Sequence, residues 1–188
     1  TGGPGTGKTT AVESIVAAHE KLDLRVTLCA PTGRAAQRMS EASGRDATTI
    51  HRLLEWNPAK ASFSRDASDP LDTDLVLVDE ASMLDLPLAC ALLDAIPPSA
   101  SLVLVGDVDQ LPPVGAGQVL RELIRSERAS LVRLEHVFRQ AQKSAIIRGA
   151  HAILHGRVPE ATPTGEKGPG DLFVIRTNDP DVAIDRLK

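Results

Sequence analysis

The sequence predicts an α/β fold, a mostly parallel sheet flanked by helices, on the strength of three observations. Gly2-Gly3-Pro4-Gly5-Thr6-Gly7-Lys8-Thr9-Thr10 fits the phosphate-cradling pattern G-x-x-x-x-G-K-[ST] from Gly2 to Thr9 and runs directly into a helical segment. Three short runs, Arg25–Ala30, Leu75–Val78 and Ser101–Val105, read as strands buried on both faces. Helical patterns separate these runs, as parallel strands require.

The phosphate loop is the first element. Glycines at Gly5 and Gly7 let the backbone turn and bring its N–H groups close to an anion, at the start of a helix whose dipole favours negative charge. Lys8 adds a point charge, Thr9 offers a hydroxyl to Mg²⁺, and Thr10 continues into the helix. The residues predict a nucleoside triphosphate site. A buried strand ordinarily launches such a loop, yet only Thr1 precedes it here, so the reading expects a fragment cut at the motif. The Leu75–Asp79 and Leu102–Val105 strands should then face a gap or pair with each other directly.

Composition agrees with a globular protein. Of 188 residues, 42% are hydrophobic and 2% aromatic, enough apolar material for one sizeable domain or one and a part. No uninterrupted apolar run approaches the roughly 18 residues of a membrane span. Cys29 and Cys90, both inside apolar segments, predict buried reduced thiols and a cytoplasmic protein with no membrane partner. The net charge of −4 argues against a uniformly basic nucleic-acid binder, but the charge is uneven. Arg65–Asp109 carries ten acidic residues against one basic, and Arg121–Arg148 seven basic against three acidic. That second stretch is either a set of solvated helix faces or a local basic groove.

After the loop, Lys8–Leu22 has helical spacing through Val12, Ile15, Val16 and His19. The strand Arg25–Ala30 ends at Pro31, and a turn leads to a helix over Arg34–Ala42 that Gly44 closes. A short helix covers Thr49–Leu54 with a threonine cap. Glu55–Thr73, with Pro58, Pro70 and scattered charges, reads as a surface loop or small hairpin. Leu75-Val76-Leu77-Val78-Asp79-Glu80 is a central strand delivering two carboxylates to a ligand. Side chains alternate along a strand, so Asp79 facing the phosphates to hold Mg²⁺ leaves Glu80 turned aside to deprotonate a water. Helices follow at Leu86–Ile96, stopped by Pro97-Pro98, and at Gly117–Arg125. Between them, Pro112-Pro113 stiffens the turn after Gln110, at the strand end where open α/β sheets bind ligands. Gln110 either senses the γ-phosphate or braces its loop.

Leu131–Leu134 reads as a short strand and Lys143–Leu154 as a helix. His151 and His155 stand four apart on that helix with no further ligand, so they are surface or packing residues rather than a zinc site. Gly156–Gly170 has linker composition, and Phe173–Ile175 reads as one more strand.

Taken together, Gly2–Thr10, Ala30–Ala36, Thr49–Leu54, Val78–Met83, Gly106–Val114 and Val137–Gln140 resemble, in order and spacing, superfamily-one DNA helicases. The chain is similar to the RecD-like branch, the exodeoxyribonuclease V alpha-subunit family. The resemblance implies a RecA-like P-loop NTPase that uses ATP and Mg²⁺ to move 5′-to-3′ along single-stranded DNA and separate strands. It implies roles for Lys8, Thr9, Asp79 and Glu80 as argued above, for Gln110 in coupling the γ-phosphate to DNA, and for Arg139 as a finger on that phosphate. Pro31, Thr32, Arg34, Thr49, His51 and Arg52 match positions lining the DNA track. Nuclease or repair-complex subunits are further partners it implies. It divides the chain into a first motor domain, 1–130, lacking its first strand, and an incomplete start of a second, 131–188. The alternative function is a RecA-like ATPase or nucleotide-dependent switch that does not translocate; the paired 31–34 and 49–52 segments distinguish the two.

Overall fold

A computed structural model describes residues 1–138, 144–159, 172, 181 and 182. They fall into two compact units, Thr1–His136 and Val137–Lys188.

The first unit is built on a four-stranded, wholly parallel sheet whose spatial order is Ala47–Thr49, Val26–Ala30, Leu75–Val78, Ser101–Leu104. Helix α1, Lys8–Glu20, leads from the phosphate loop and buries Val12 and Val16 against Leu28, Met39 and Leu77. Strand β1, Val26–Ala30, follows. Helix α2, Gly33–Ser43, ends at Gly44, whose φ of 66° is the left-handed closure that glycine accepts without strain. Strand β2, Ala47–Thr49, is an element the sequence reading did not identify; it pairs with β1 through Leu28–Ala47, Cys29–Thr48 and Ala30–Thr49. Helix α3, Ile50–Leu53, is one turn long. The next segment contains the small hairpin, β3 (Trp56–Asn57) against β4 (Ser62–Phe63).

Strand β5, Leu75–Val78, is completely buried, as a central parallel strand should be. A 3₁₀ turn, Ala81–Met83, and helix α4, Leu86–Ala95, lead to strand β6, Ser101–Leu104, and then helix α5, Val119–Ser126. Asp85 caps α4 by accepting from the Leu88 N–H at 3.0 Å. The main core lies on the α3 and α4 face, where Ile50, Leu54, Val76, Val78, Leu84 and Leu92 meet.

Of the two arrangements expected for the Leu75–Asp79 and Leu102–Val105 strands, direct pairing is the one found: β5 and β6 are hydrogen-bonded neighbours. Thr1 and Gly2 lie beyond β6. The Gly2 N–H donates to the Gly106 carbonyl at 3.3 Å, and the Leu134 N–H donates to the Thr1 carbonyl at 2.7 Å. Leu131–Leu134 is therefore a single parallel bridge to Gly2 rather than a full strand. That bridge joins the segment to Gly2 within the unit Thr1–His136.

Of the second unit, the structure describes chiefly helix α6, Ala145–Leu154, capped by the Ser144 hydroxyl, which accepts from the Ile147 N–H at 3.3 Å. Within this unit a Cβ at Gly149 would stand 2.8 Å from Leu172 Cδ2, so a larger residue there would require the Leu172 side chain to shift. The expected strand at 173–175 lies outside the described residues. Among the described residues no helix is long and apolar enough to cross a membrane. One expectation about the thiols is corrected: Cys29 is buried, but Cys90 sits on the outer face of α4 and is exposed.

Candidate functional site

The phosphate loop takes its shape from two left-handed glycines, Gly5 at φ 75° and Gly7 at φ 86°. Gly7 is the N-cap of α1 and has no side chain to occupy the first-turn N–H groups, and that turn carries no acidic residue. The positive end of the helix dipole is thus left for an anion. Lys8 Nζ donates to the carbonyls of Gly2 and Gly3 at 2.7 and 3.1 Å, which folds the ammonium over the loop. Buried Thr6 donates to the Gly3 carbonyl at 2.8 Å and braces the loop from within. Thr9 and Thr10 are exposed on the first turn of α1.

Asp79 continues the β1–β5 ladder, its N–H donating to the Cys29 carbonyl at 3.0 Å, and its Oδ1 accepts from the Glu80 N–H at 2.9 Å. Strand alternation does not set the direction of Glu80, contrary to the sequence reading. The strand ends at Val78, and Glu80 turns the chain with a left-handed backbone, φ 52° and ψ 38°. Burial first, and then neighbouring Asp79, push the Glu80 carboxyl above its ordinary value, with Lys8 and Arg38 opposing. Glu80 Oε2 is buried with no hydrogen-bond partner among the described residues. A carboxylate raised and unsatisfied in this way is suited to take a proton.

Buried Asp107 accepts from the Asp109 N–H at 3.0 Å, and its carbonyl accepts from the Gln110 N–H at 3.2 Å. This knot leaves the Gln110 side chain exposed at the carboxyl end of β6. The donors suit Mg²⁺: Thr9 and Asp79 offer hard oxygens. Among the described residues no group of three His, Cys, Asp or Glu side chains forms a protein-only cage. A few protein oxygens completed by phosphates and water are the usual Mg²⁺ arrangement in phosphoryl-transfer sites.

The two segments expected to line DNA emerge side by side. Strands β1 and β2 end in register at Ala30 and Thr49, so Pro31–Arg34 and Thr49–Arg52 leave the same edge of the sheet. Thr32 caps α2 by accepting from the Ala35 N–H, and Thr49 caps α3 by accepting from the Arg52 N–H, each at 3.2 Å. Arg34, His51 and Arg52 are exposed. The His51 ring lies 6.3 Å from Trp56 and 5.7 Å from Phe63, and those two rings are 4.8 Å apart. Arg139 lies outside the described residues.

A family profile described as an AAA domain matches residues 1–116. The chain belongs to the AAA domain family. Within it the chain is RecD-like. It is 48% identical over 159 residues to the ATP-dependent RecD2 DNA helicase of Deinococcus radiodurans, an alignment covering 85% of this chain and 22% of that protein. It is 42% identical over 147 residues to the RecBCD enzyme subunit RecD of Mycobacterium tuberculosis, covering 66% of this chain and 25% of that one. The chain thus spans about a quarter or less of the length of these relatives. Bacteroides Pif1 bound to ssDNA has a similar fold, with a TM-score of 0.51 at 23% identity over 84% of this chain and 42% of that one. The sheet of this AAA domain is RecA-like.

The sequence reading of this AAA domain missed three groups near the carboxylates. Arg38 stands one turn after Arg34 on α2 and bears electrostatically on Glu80. Asp107, read only as part of a loop, is a buried carboxylate three positions after the end of half-buried β6. Ser82 has a buried hydroxyl with no hydrogen-bond partner among the described residues. No sequence pattern marks it.

Proposed function

We propose that this chain carries the ATP-hydrolysing motor of a DNA helicase that moves 5′-to-3′ on single-stranded DNA in the cytoplasm. The observation that supports it is convergence at the carboxyl edge of one parallel sheet. The loop before α1, Asp79-Glu80 after β5, Gln110 after β6 and the segments after β1 and β2 all lie there. Residues 1–130 are the first motor domain, and 131–188 the incomplete start of a second.

ATP is the substrate. Lys8 and the first-turn N–H groups of α1 hold its phosphates, and Thr9 and Asp79 hold Mg²⁺, which neutralises phosphate charge when bound. Glu80 takes the proton of the attacking water, its raised affinity for protons matching that task. Gln110 senses the γ-phosphate from a stiffened loop, and Arg139 is assigned the finger role by resemblance. Pro31, Thr32, Arg34, Thr49, His51 and Arg52 hold the strand, chiefly through its backbone phosphates. One relative is a RecBCD enzyme subunit, which supports assembly with nuclease or repair subunits.

The test compares two variants of the full-length protein. Lys8→Ala should abolish hydrolysis. Glu80→Gln should keep nucleotide affinity and lower kcat by about 10² to 10⁴, the usual worth of a general base. Near-normal turnover in Lys8→Ala would overturn the assignment. Single-stranded DNA should stimulate the wild-type rate; lack of stimulation would favour a switch that does not translocate.

A further inference from the structure

The outer edge of β6 is shaped to take another strand. The Val105 N–H donates to the Val78 carbonyl and the Val105 carbonyl accepts from the Ala81 N–H, both at 2.8 Å, so Val105 bonds on the β5 side. Backbone groups alternate sides along a strand, and those of Leu102 and Leu104 therefore face away from β5, where no strand pairs with them among the described residues. Leu102–Val105 is only half-buried, although an apolar run of this kind calls for cover on both faces.

Along that edge runs an apolar groove of about 700 Å³. Ile15 of α1 lines it from the face where Val103 and Val105 pack, and Leu92 of α4 and Leu123 of α5 line it from the face where Leu102 and Leu104 pack. Val132 stands on its far side. One end of the groove already carries the ladder of a strand held between two edges. The Thr1 amine donates to the Val132 carbonyl at 2.8 Å and the Leu134 N–H to the Thr1 carbonyl at 2.7 Å, while on the opposite side the Gly2 N–H donates to the Gly106 carbonyl at 3.3 Å. The Gly2–Leu134 bridge is parallel.

We propose that a strand of the longer protein, running directly into Thr1, fills this groove parallel to β6. This chain spans about a quarter or less of the length of its relatives, which supports a longer polypeptide as the source. Matching Ser101–Leu104 at about 3.3 Å per residue takes roughly four or five residues, apolar on both faces because helices cover both. The ladder at Gly2 fixes the register: the residue before Thr1 gives its N–H to the Leu104 carbonyl, and the residue two positions earlier gives its own to Leu102. The phosphate loop is then tied at its entry to two fixed edges. That consequence for nucleotide rests on the ATPase reading above, whereas the strand itself is observed without nucleotide.

The experiment is amide hydrogen exchange resolved to single residues, comparing the full-length protein with the 188-residue chain, neither with nucleotide. The Leu102 and Leu104 amides should exchange at least about a hundredfold more slowly in the full-length protein, and the Val103 and Val105 amides, bonded to β5 in both, should change far less. Equal exchange at Leu102 and Leu104 in the two proteins would overturn the proposal. Protection in the 188-residue chain that grows with its concentration would put a second copy in the groove and would overturn it too. Should the 188-residue chain fail to fold, Val132→Lys in the full-length protein decides the matter. Val132 is 73% exposed in this structure, so lysine there should be harmless beside an empty groove and should lower the thermal midpoint by several degrees beneath a strand. An unchanged midpoint would overturn the proposal. Slow exchange at Leu102 and Leu104 in a full-length protein that hydrolyses no ATP would sink the ATPase reading and leave the strand in place.

Discussion

Single residues show how backbone and burial set chemistry that a residue's name leaves open. Asp79 and Glu80 stand out in the sequence as paired carboxylates after an apolar run, but the left-handed backbone at Glu80 does not, because nothing in that run marks a turn that glycine would make more cheaply. Such a conformation costs an L-residue roughly 1 to 2 kcal/mol. Glu80→Gly should therefore raise stability by up to about 1 kcal/mol in chemical denaturation, since glycine accepts positive φ freely but loses more chain entropy. It should also abolish hydrolysis. Unchanged or lower stability would mean that the glutamate side chain contributes packing that outweighs its backbone strain. The two thiols diverge in the same manner. Burial pushes the Cys29 thiol up to about 12, so it stays protonated throughout the neutral range, whereas Cys90 is exposed. A thiol reagent at pH 8 should modify one cysteine in the folded chain, identified as Cys90 by peptide mapping, and both after denaturation. Modification of Cys29 at a comparable rate would show that the β1 core opens readily.

At the scale of elements, legibility followed length and capping. Helices α1, α2 and α4 were readable because apolar spacing extends over several turns and because Gly44 and Pro97-Pro98 mark ends. Strand β2 was not, since three half-buried residues, Ala47–Thr49, leave too little alternation to read. The hairpin β3–β4 has two residues per strand and looked like a loop as much as a strand pair. Thr32 and Thr49 do two things at once in this scheme, capping helices that their own segments begin. Thr32→Ala should destabilise the chain by about 1 kcal/mol through the lost cap, and Thr32→Ser should recover most of that loss. A Thr32→Ala variant with unchanged stability would leave the hydroxyl free for DNA alone. The aromatic cluster is separable from these caps. In the nucleic-acid reading, Trp56→Ala with Phe63→Ala should weaken binding to a short single-stranded oligonucleotide by about 1 to 3 kcal/mol, the typical worth of one stacked base. Retained affinity would return both rings to packing with His51.

For the molecule as a whole, net charge points away from nucleic acid while local geometry points toward it. The chain carries −4 overall, so attraction to a polyanion must come from where charges are placed rather than from their sum. Strand order supplies that placement. With β1 and β2 adjacent, parallel and ending in register, Arg34 and Arg52 are delivered to one edge as exposed cations from two segments separated in sequence. The sequence held both arginines but not their adjacency, because β2, the strand that brings them together, was the element too short to read. If these two side chains each neutralise one phosphate of a single strand, each contributes about −0.7 to the slope of log affinity against log salt. Arg34→Ala with Arg52→Ala should then flatten that slope by about 1.4 and weaken binding to all single-stranded sequences alike, as fluorescence anisotropy over a salt series would measure. A slope unchanged by the double substitution would remove this sheet edge from the DNA track, and an affinity insensitive to salt in the wild type would contradict phosphate contact altogether.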